Sequence, residues 1–193
     1  MNKRARGYVI TIFASIAWGF SGVCSEFLMK EYHADPYWLT AIRMLLAAPT
    51  TMLFLLFKDR GISELHKQLL HNRRSYLPMV IYSVFGLAAS QLTYVVAIGY
   101  SNAGTATVIE FLGPILIVLF VCVTVRRLPK YTELFAIIFA LFGTFILATH
   151  GKIDSLVIST QALNWGLASA IGFALYTLIP VKLIRRYGSE LVV

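Results

Sequence analysis

The sequence predicts an all-α polytopic membrane protein with six transmembrane helices and both termini in the cytoplasm. Hydrophobic residues fill 58% of its 193 positions, charged residues only 13%, and the mean hydropathy is +0.73. This composition is typical of a polytopic membrane protein and not of a soluble domain. Six apolar runs are long enough to cross about 30 Å of hydrocarbon at ~1.5 Å per residue. Basic residues are concentrated in alternate gaps between these runs.

The six runs are joined by connections of unequal length. The first run follows a basic N-terminus, but it is longer than the apolar part of a signal peptide and more runs follow, so it is interpreted as the first helix. The segment Lys58–Tyr76 is the one sizeable inner connection, whereas Tyr100–Ala103 on the other side is short. In order, the runs are Tyr8–Leu28, Tyr37–Phe57, Leu77–Gly99, Gly104–Val125, Tyr131–Thr149 and Ala162–Lys182.

The distribution of positive charge predicts the orientation of the helices. Of the 17 Lys and Arg residues, 14 lie on the side of the two termini, only Lys30 and Lys152 lie on the other side, and Arg43 is inside a run. This is a strong positive-inside signal, and it predicts that both termini of this multi-pass protein are cytoplasmic. Because the basic residues form no continuous face or basic domain, we expect the lipid bilayer and no nucleic acid as a partner.

The fourth run contains a carboxylate at Glu110, followed four residues later by Pro114. An ionised side chain inside the hydrocarbon costs at least ~2.5 kcal/mol, so it must face a partner or water. Proline has no N–H to donate to the carbonyl oxygen of Glu110, which is therefore freed at the same level. The pattern leaves two interpretations open, a polar site within the membrane or a kink beside a structural ion pair.

Further polar residues lie at the depth of Glu110. Arg43 and Glu110 are each about six residues from the outer ends of their runs, and Gln91 about eight, which is roughly 9–12 Å below the outer boundary. Arg43 and Glu110 are natural partners, since neither is tolerated alone in lipid. The pair either fixes helix packing or forms the polar wall of an outward-opening cavity. In the cavity interpretation, further hydrogen-bonding groups come from Tyr94, Thr107 and Tyr176.

Prolines and small residues within the runs indicate how the helices bend and pack. Pro49, Pro114 and Pro180 each free a carbonyl oxygen four residues earlier, and broken helices of this kind line the binding sites of many carriers. Prolines are also common in membrane helices for packing alone. Small residues at a spacing of four permit close helix contact, at Ser15/Gly19, Gly86/Ser90 and Ala168/Gly172.

No cofactor, metal site or enzymatic activity is expected. None of the four histidines lies inside a run, and the two cysteines, Cys24 and Cys122, both do, which disfavours metal, proton-relay and disulfide chemistry. The sequence has no P-loop and no H-E-x-x-H motif. No general base accompanies the serine of Gly19-Phe20-Ser21-Gly22, so this short match to intramembrane serine proteases is not taken as a site.

A series of short motifs extends from Tyr8 to Gly151 and carries a family resemblance. They are Ala17-Trp18-Gly19 with Lys30, Pro36 with Arg43 and Leu45-Leu46-Ala47, Ala97-Ile98-Gly99-Tyr100-Ser101-Asn102-Ala103, Gly113-Pro114, and Gly143 with Gly151. In order and spacing they resemble the drug/metabolite transporter superfamily, specifically carriers with the EamA domain. One segment departs from the pattern: Arg126-Arg127-Leu128-Pro129 stands where the family usually has an acidic residue.

The resemblance implies a ten-helix carrier of two five-helix repeats in opposite orientation. Residues 1–151 would form the first repeat and residues 162–187 the first helix of a truncated second one. Aligning Trp18 with Phe173 also aligns Lys30 with Arg185. The family implies secondary, non-ATP transport of small organic metabolites and export of amino acids or related solutes. It also adds Trp18 to the substrate or proton site.

Four helices of the implied second repeat are missing, so we expect a partial chain. The alternatives are that the remainder is a separate polypeptide or that the fragment is not an active carrier. A homo-oligomer is a poor substitute, because a parallel dimer does not recreate an inverted repeat. The competing function class is a non-transporting membrane assembly or signalling partner, in which Arg43 and Glu110 would matter only for folding.

Overall fold

A computed structural model describes residues 3–58, 73–149 and 158–187, and every regular element in these ranges is helical. The all-α prediction is therefore confirmed for this part of the chain. The helical segments are α1 (Lys3–Glu31), α2 (Pro36–Lys58), α3 (Arg73–Ile81, Tyr82–Ala88 and Ala89–Tyr100), α4 (Ala103–Glu110 and Gly113–Val125), α5 (Tyr131–Thr149) and α6 (Thr160–Leu178, continued by Val181–Tyr187).

Four of these helices are long and apolar enough to cross a membrane, namely Gly7–Glu31, Tyr76–Tyr100, Ala103–Val125 and Thr160–Arg185. In α5, the apolar helix Tyr131–Gly143 is shorter. The segment α2 is not among the four. A multi-pass membrane protein is thus supported, while the count of six crossings and the orientation of the termini stay predictions.

Side-chain caps define one end of the helical bundle. Asp35, Asn102 and Ser159 accept hydrogen bonds from backbone N–H groups in the first turns of α2, α4 and α6, at distances between 2.8 and 3.2 Å. Such caps satisfy donors that the helix itself leaves unpaired. All three residues lie in connections on the side that the charge pattern predicts to be outside. We refer to this side as the predicted outer end.

The outer part of α3 is the centre of the bundle. Residues 94–98 are all buried, and five consecutive helical residues at ~100° each cover the whole circumference of the helix. Ala89–Tyr100 packs against α1, α2, α4 and α6. By contrast, α1 and α5 expose most of their large apolar side chains.

Small residues bring α6 very close to α3 and α4. A Cβ atom built on Gly172 would lie 2.8 Å from the Cα of Ser90, and one on Gly113 would lie 3.0 Å from the carbonyl oxygen of Ala170. Contacts this close are possible only without a side chain. The predicted packing role of Gly86/Ser90 and of Gly172 therefore agrees with the structure, whereas Gly19 has no atom within 4 Å of its built Cβ.

Three of the helices depart from regular α geometry. Helix α4 is interrupted at residues 111–112, directly after Glu110 and before Pro114. Helix α6 is interrupted at residues 179–180, which include Pro180. In α3, residues Tyr82–Ala88 are π-helical and follow Pro78 by one turn. Pro49, in contrast, lies inside an uninterrupted helix.

The turn between α4 and α5 is held by an ion pair. Arg126 has a left-handed backbone conformation (φ 52°) that ends α4. The two terminal nitrogens of Arg127 each donate a hydrogen bond of 2.8 Å to the Glu133 carboxylate. The hydrogen bonds to Glu133 raise the pKa of the Arg127 guanidinium. The basic segment that departs from the family pattern thus joins two helices through a carboxylate in α5.

Tyr82 forms a buried cluster between α3 and α6, far from the predicted outer end. Its ring stacks on that of Tyr176, with centroids 6.1 Å apart and planes at 22°, and Leu183 completes the buried core of the cluster. The Tyr82 hydroxyl is buried and has no hydrogen-bond partner in the described ranges. A buried polar group left unpaired costs free energy.

We expect Tyr82→Phe to raise the free energy of unfolding by about 1 kcal/mol, because it removes the unpaired hydroxyl and keeps the ring. Tyr94→Phe is the matched control, since the Tyr94 hydroxyl lies 2.8 Å from Thr107 Oγ1, and its loss should lower that free energy by about 1 kcal/mol. Denaturant unfolding in detergent measures both. Equal destabilisation by the two variants would show that the Tyr82 hydroxyl has a partner.

Candidate functional site

Polar side chains from five helices lie in one layer near the predicted outer end. Ser25, Arg43, Tyr94 and Glu110 are each about six or seven residues, or ~9–10 Å, from the ends of α1, α2, α3 and α4. Ser169 joins them from α6. The described structure therefore brings the predicted residues Arg43, Tyr94 and Glu110 to a common depth inside an apolar bundle.

Glu110 is the buried carboxylate of this layer. It is 5% exposed, and its Oε1 accepts a hydrogen bond of 2.7 Å from the hydroxyl of Ser169, which is 0% exposed. The contact requires α6 to approach α4 closely, and Gly166 allows this, since its built Cβ would lie 2.7 Å from Ile109. A carboxylate held by one neutral hydroxyl, directly before a helix interruption, is a rare and costly arrangement in a membrane.

The predicted direct pairing of Arg43 with Glu110 is wrong. Arg43 is half-buried, and its Nη1 donates to Ser25 Oγ at 3.2 Å, whereas Glu110 is bonded to Ser169. The ion pairs within the described ranges are Lys30–Glu26 and Arg127–Glu133. The reason is geometric: α2 packs against the outer part of α3, while Glu110 faces α6.

Tyr94 lies near both charges. Its hydroxyl interacts electrostatically with both Arg43 and Glu110, and lies 2.8 Å from Thr107 Oγ1. Its ring centroid is 6.4 Å from that of Trp18, with the planes at 53°. A Cβ on Gly22 would lie 2.9 Å from the same hydroxyl, so a glycine in α1 is needed for this close approach. Of the predicted site residues, Trp18, Tyr94 and Thr107 therefore form one connected group.

Two predicted residues are placed differently. Gln91 is half-buried, one turn from Tyr94, and makes no side-chain hydrogen bond within the described ranges. Tyr176 stacks on Tyr82 and lies about seven residues, or ~10 Å, beyond Ser169 along α6. It therefore lies at a different depth from Glu110, and its role in the substrate or proton site stays a prediction.

Sequence reasoning missed two polar partners in this region, Ser25 and Ser169, and it interpreted Glu26, two residues from the outer end of the first run, as a hydrated interfacial residue. The two serines resemble ordinary small residues of packed helices, and only their depth, equal to that of Arg43 and Glu110, could have indicated them. Glu26 Oε1 lies 2.6 Å from Lys30 Nζ, and Oε2 accepts the backbone N–H of Ala103 at 2.8 Å. Glu26 thus connects α1 to the first turn of the helix that carries Glu110.

We expect Glu26→Ala to lower the free energy of unfolding by about 1–2 kcal/mol, because the Ala103 N–H loses its acceptor and the N-terminus of α4 loses a negative charge. Lys30→Ala is the control. It removes an exposed i,i+4 ion pair and should change stability by less than about 0.5 kcal/mol. Thermal unfolding of the two variants in the same detergent makes the comparison, and equal effects would contradict the capping role.

The predicted outer end also carries a shallow depression of about 390 Å³, lined by residues that include His33, Asp35, Tyr37 and Tyr100. None of the predicted site residues lines it. Within the described ranges no three His, Cys, Asp or Glu residues group as metal ligands, and both cysteines are free. The polar layer, and not this depression, is the candidate site.

Comparison with known proteins gives four findings. Residues 5–149 match the EamA-like transporter family. The chain is 39% identical over 189 residues to a Salmonella typhimurium protein described as the uncharacterized inner membrane transporter YicL, covering 98% of this chain and 62% of that protein. It is 24% identical over 186 residues to an uncharacterized transporter of Clostridium kluyveri, covering 95% of this chain and 58% of that protein. No solved structure gives a significant match.

Proposed function

This chain belongs to the EamA-like transporter family, and we propose that it is the N-terminal part of a secondary inner-membrane carrier for small organic solutes. The chain spans about three fifths of the length of the two curated relatives. This partial coverage supports the proposed division of the chain into a first repeat at residues 1–151 and the start of a second repeat at residues 162–187. Both termini are proposed to be cytoplasmic.

The observation that carries the proposal is the polar layer around Glu110. A non-transporting helical bundle gains nothing from a buried carboxylate with one neutral partner, since an apolar residue of the same size avoids the desolvation cost. A carrier does gain from such a carboxylate, because a binding site within the membrane needs polar groups that are not already neutralised by each other. The interruption of α4 beside Glu110 is also typical of carrier sites.

The proposal also names the residue that couples transport to protons and the residues that bind the solute. We assign proton coupling to Glu110, because a buried carboxylate can bind a proton when the cavity changes face. Arg43, Tyr94, Thr107 and Trp18 are assigned to the solute site. Amino acids or related metabolites, moved outward, are the proposed solutes, and this follows from family membership rather than from any contact.

A counterflow assay in proteoliposomes tests the proposal. The 193-residue chain is compared with a version extended by the coding sequence that follows it, using an amino-acid mixture as the trapped solute. Exchange in the longer version alone would support a carrier in which this layer is one part of the site. Exchange in the short chain would show that these helices suffice and would end the ten-helix proposal. The absence of exchange in both would overturn carrier function.

A further inference from the structure

Arg43 is a cation of the polar layer without a carboxylate partner among the described residues. Its one side-chain hydrogen bond, of 3.2 Å, goes to the neutral Ser25 hydroxyl. That hydroxyl is itself engaged, because it donates to the carbonyl oxygen of Ser21 at 2.8 Å. A guanidinium carries five N–H donors in a planar fork. Most of the hydrogen-bonding capacity of Arg43 is therefore unused within the described protein.

The charges of the layer are also separated rather than paired. Glu110 is bonded to Ser169 on α6, and Arg43 is bonded to Ser25 on α1. An intramembrane arginine without a carboxylate partner is rare, because charged side chains within a membrane normally pair with one another. The arrangement leaves a positive charge available to a ligand, with a hydroxyl beside it.

Aromatic surface lies next to this charge. Tyr94 interacts electrostatically with Arg43, and its ring lies 6.4 Å from Trp18, whose side chain is 42% exposed. An anionic group on Arg43 would thus have an apolar face nearby for the remainder of the molecule. Small-molecule sites combine a few fixed polar groups with such apolar and aromatic walls.

From this geometry we infer that Arg43 binds a carboxylate group of the transported solute. The inference rests on the proposed carrier function and names the chemistry of its substrate. A carboxylate matches the guanidinium fork through two parallel hydrogen bonds. A phosphate monoester fits less well, because one arginine would face up to two negative charges while the Glu110 carboxylate lies in the same layer.

Four compounds that carry the same branched five-carbon unit on different head groups test this inference: L-leucine, 4-methylpentanoate, L-leucinamide and isopentyl phosphate. Binding to the protein in nanodiscs is measured by calorimetry, and counterflow is measured in proteoliposomes. We expect binding of at least one of the two carboxylates, and at least tenfold weaker binding of leucinamide and of the phosphate. Arg43→Gln should weaken carboxylate binding at least tenfold, and Arg43→Lys should weaken it less, because a point charge is retained.

Lys30→Gln is the matched control, since it removes an exposed cation that lies outside the polar layer; carboxylate binding should persist. Thermal unfolding identifies a variant that does not fold, and Arg43→Lys then carries the comparison with Lys30→Gln. Equal binding of leucine and leucinamide, unchanged carboxylate binding in Arg43→Gln, or no binding of either carboxylate would each overturn the inference.

The two measurements also separate this inference from the proposed function. Counterflow of leucinamide without exchange of either carboxylate would overturn the role of Arg43 and retain the carrier. Binding of a carboxylate that depends on Arg43, without counterflow of any compound, would overturn the carrier and retain the carboxylate site. Preferred binding of isopentyl phosphate would exclude a carboxylate as the recognised group.

Discussion

Glu110→Gln is expected to abolish proton-driven accumulation of solute while exchange of solute at equal concentrations continues. Glutamine has the size of glutamate, and its amide oxygen can still accept the hydrogen bond from Ser169. The substitution therefore removes the ionisable group and keeps the packing. Uptake against a gradient, driven by an imposed pH difference in proteoliposomes, and counterflow without that difference measure the two activities.

Glu26→Gln is the control for this experiment. Its carboxylate is outside the layer, and an amide oxygen can still accept the N–H of Ala103, so accumulation should be retained. If Glu110→Gln accumulated solute as the unmodified protein does, Glu110 would have no role in coupling. If it lost exchange together with accumulation, Glu110 would be needed for binding or folding instead.

Gly172→Ala is expected to lower the free energy of unfolding by about 1–3 kcal/mol, since overpacking a close helix contact forces the backbones apart. The added Cβ would lie 2.8 Å from the Cα and 3.1 Å from the N of Ser90, and backbone atoms cannot rotate away as a side chain can. The same displacement would move Ser169, one turn earlier in α6, relative to Glu110. Denaturant unfolding and counterflow should both be impaired.

Gly143→Ala is the matched control, because a Cβ there has no atom within 4 Å. It is also within a helix, where alanine is favoured over glycine by roughly 0.5–1 kcal/mol, so stability should be unchanged or slightly higher. Similar stability of Gly172→Ala and Gly143→Ala would contradict the close contact between α6 and α3.

The sequence predicted the local features of the chain well, because these depend on neighbouring residues. Apolar runs of this length are helical wherever the backbone has no water to bind. Glu110 and Pro114 predicted a polar position beside an interrupted helix, and α4 is interrupted there. The packing of Gly86 and Gly172 also followed from the spacing of small residues.

The partners across helices depended on the tertiary structure. Equal depth suggested that Arg43 and Glu110 would pair, but depth does not give the direction in which a side chain points around its helix. The close contact of α6 with α4 directs Glu110 to Ser169, and α1 and α2, which both pack on the outer part of α3, bring Ser25 within reach of Arg43.

By itself, the sequence determined that this is an all-α membrane protein, and it predicted a buried carboxylate and an intramembrane arginine, because hydropathy and charge are properties of the residues. Only the tertiary structure decided that the two charges are held apart, each by a serine. The physical reason is that pairing requires a common direction as well as a common depth. The glycine contacts between α6 and α4 fix that direction for Glu110.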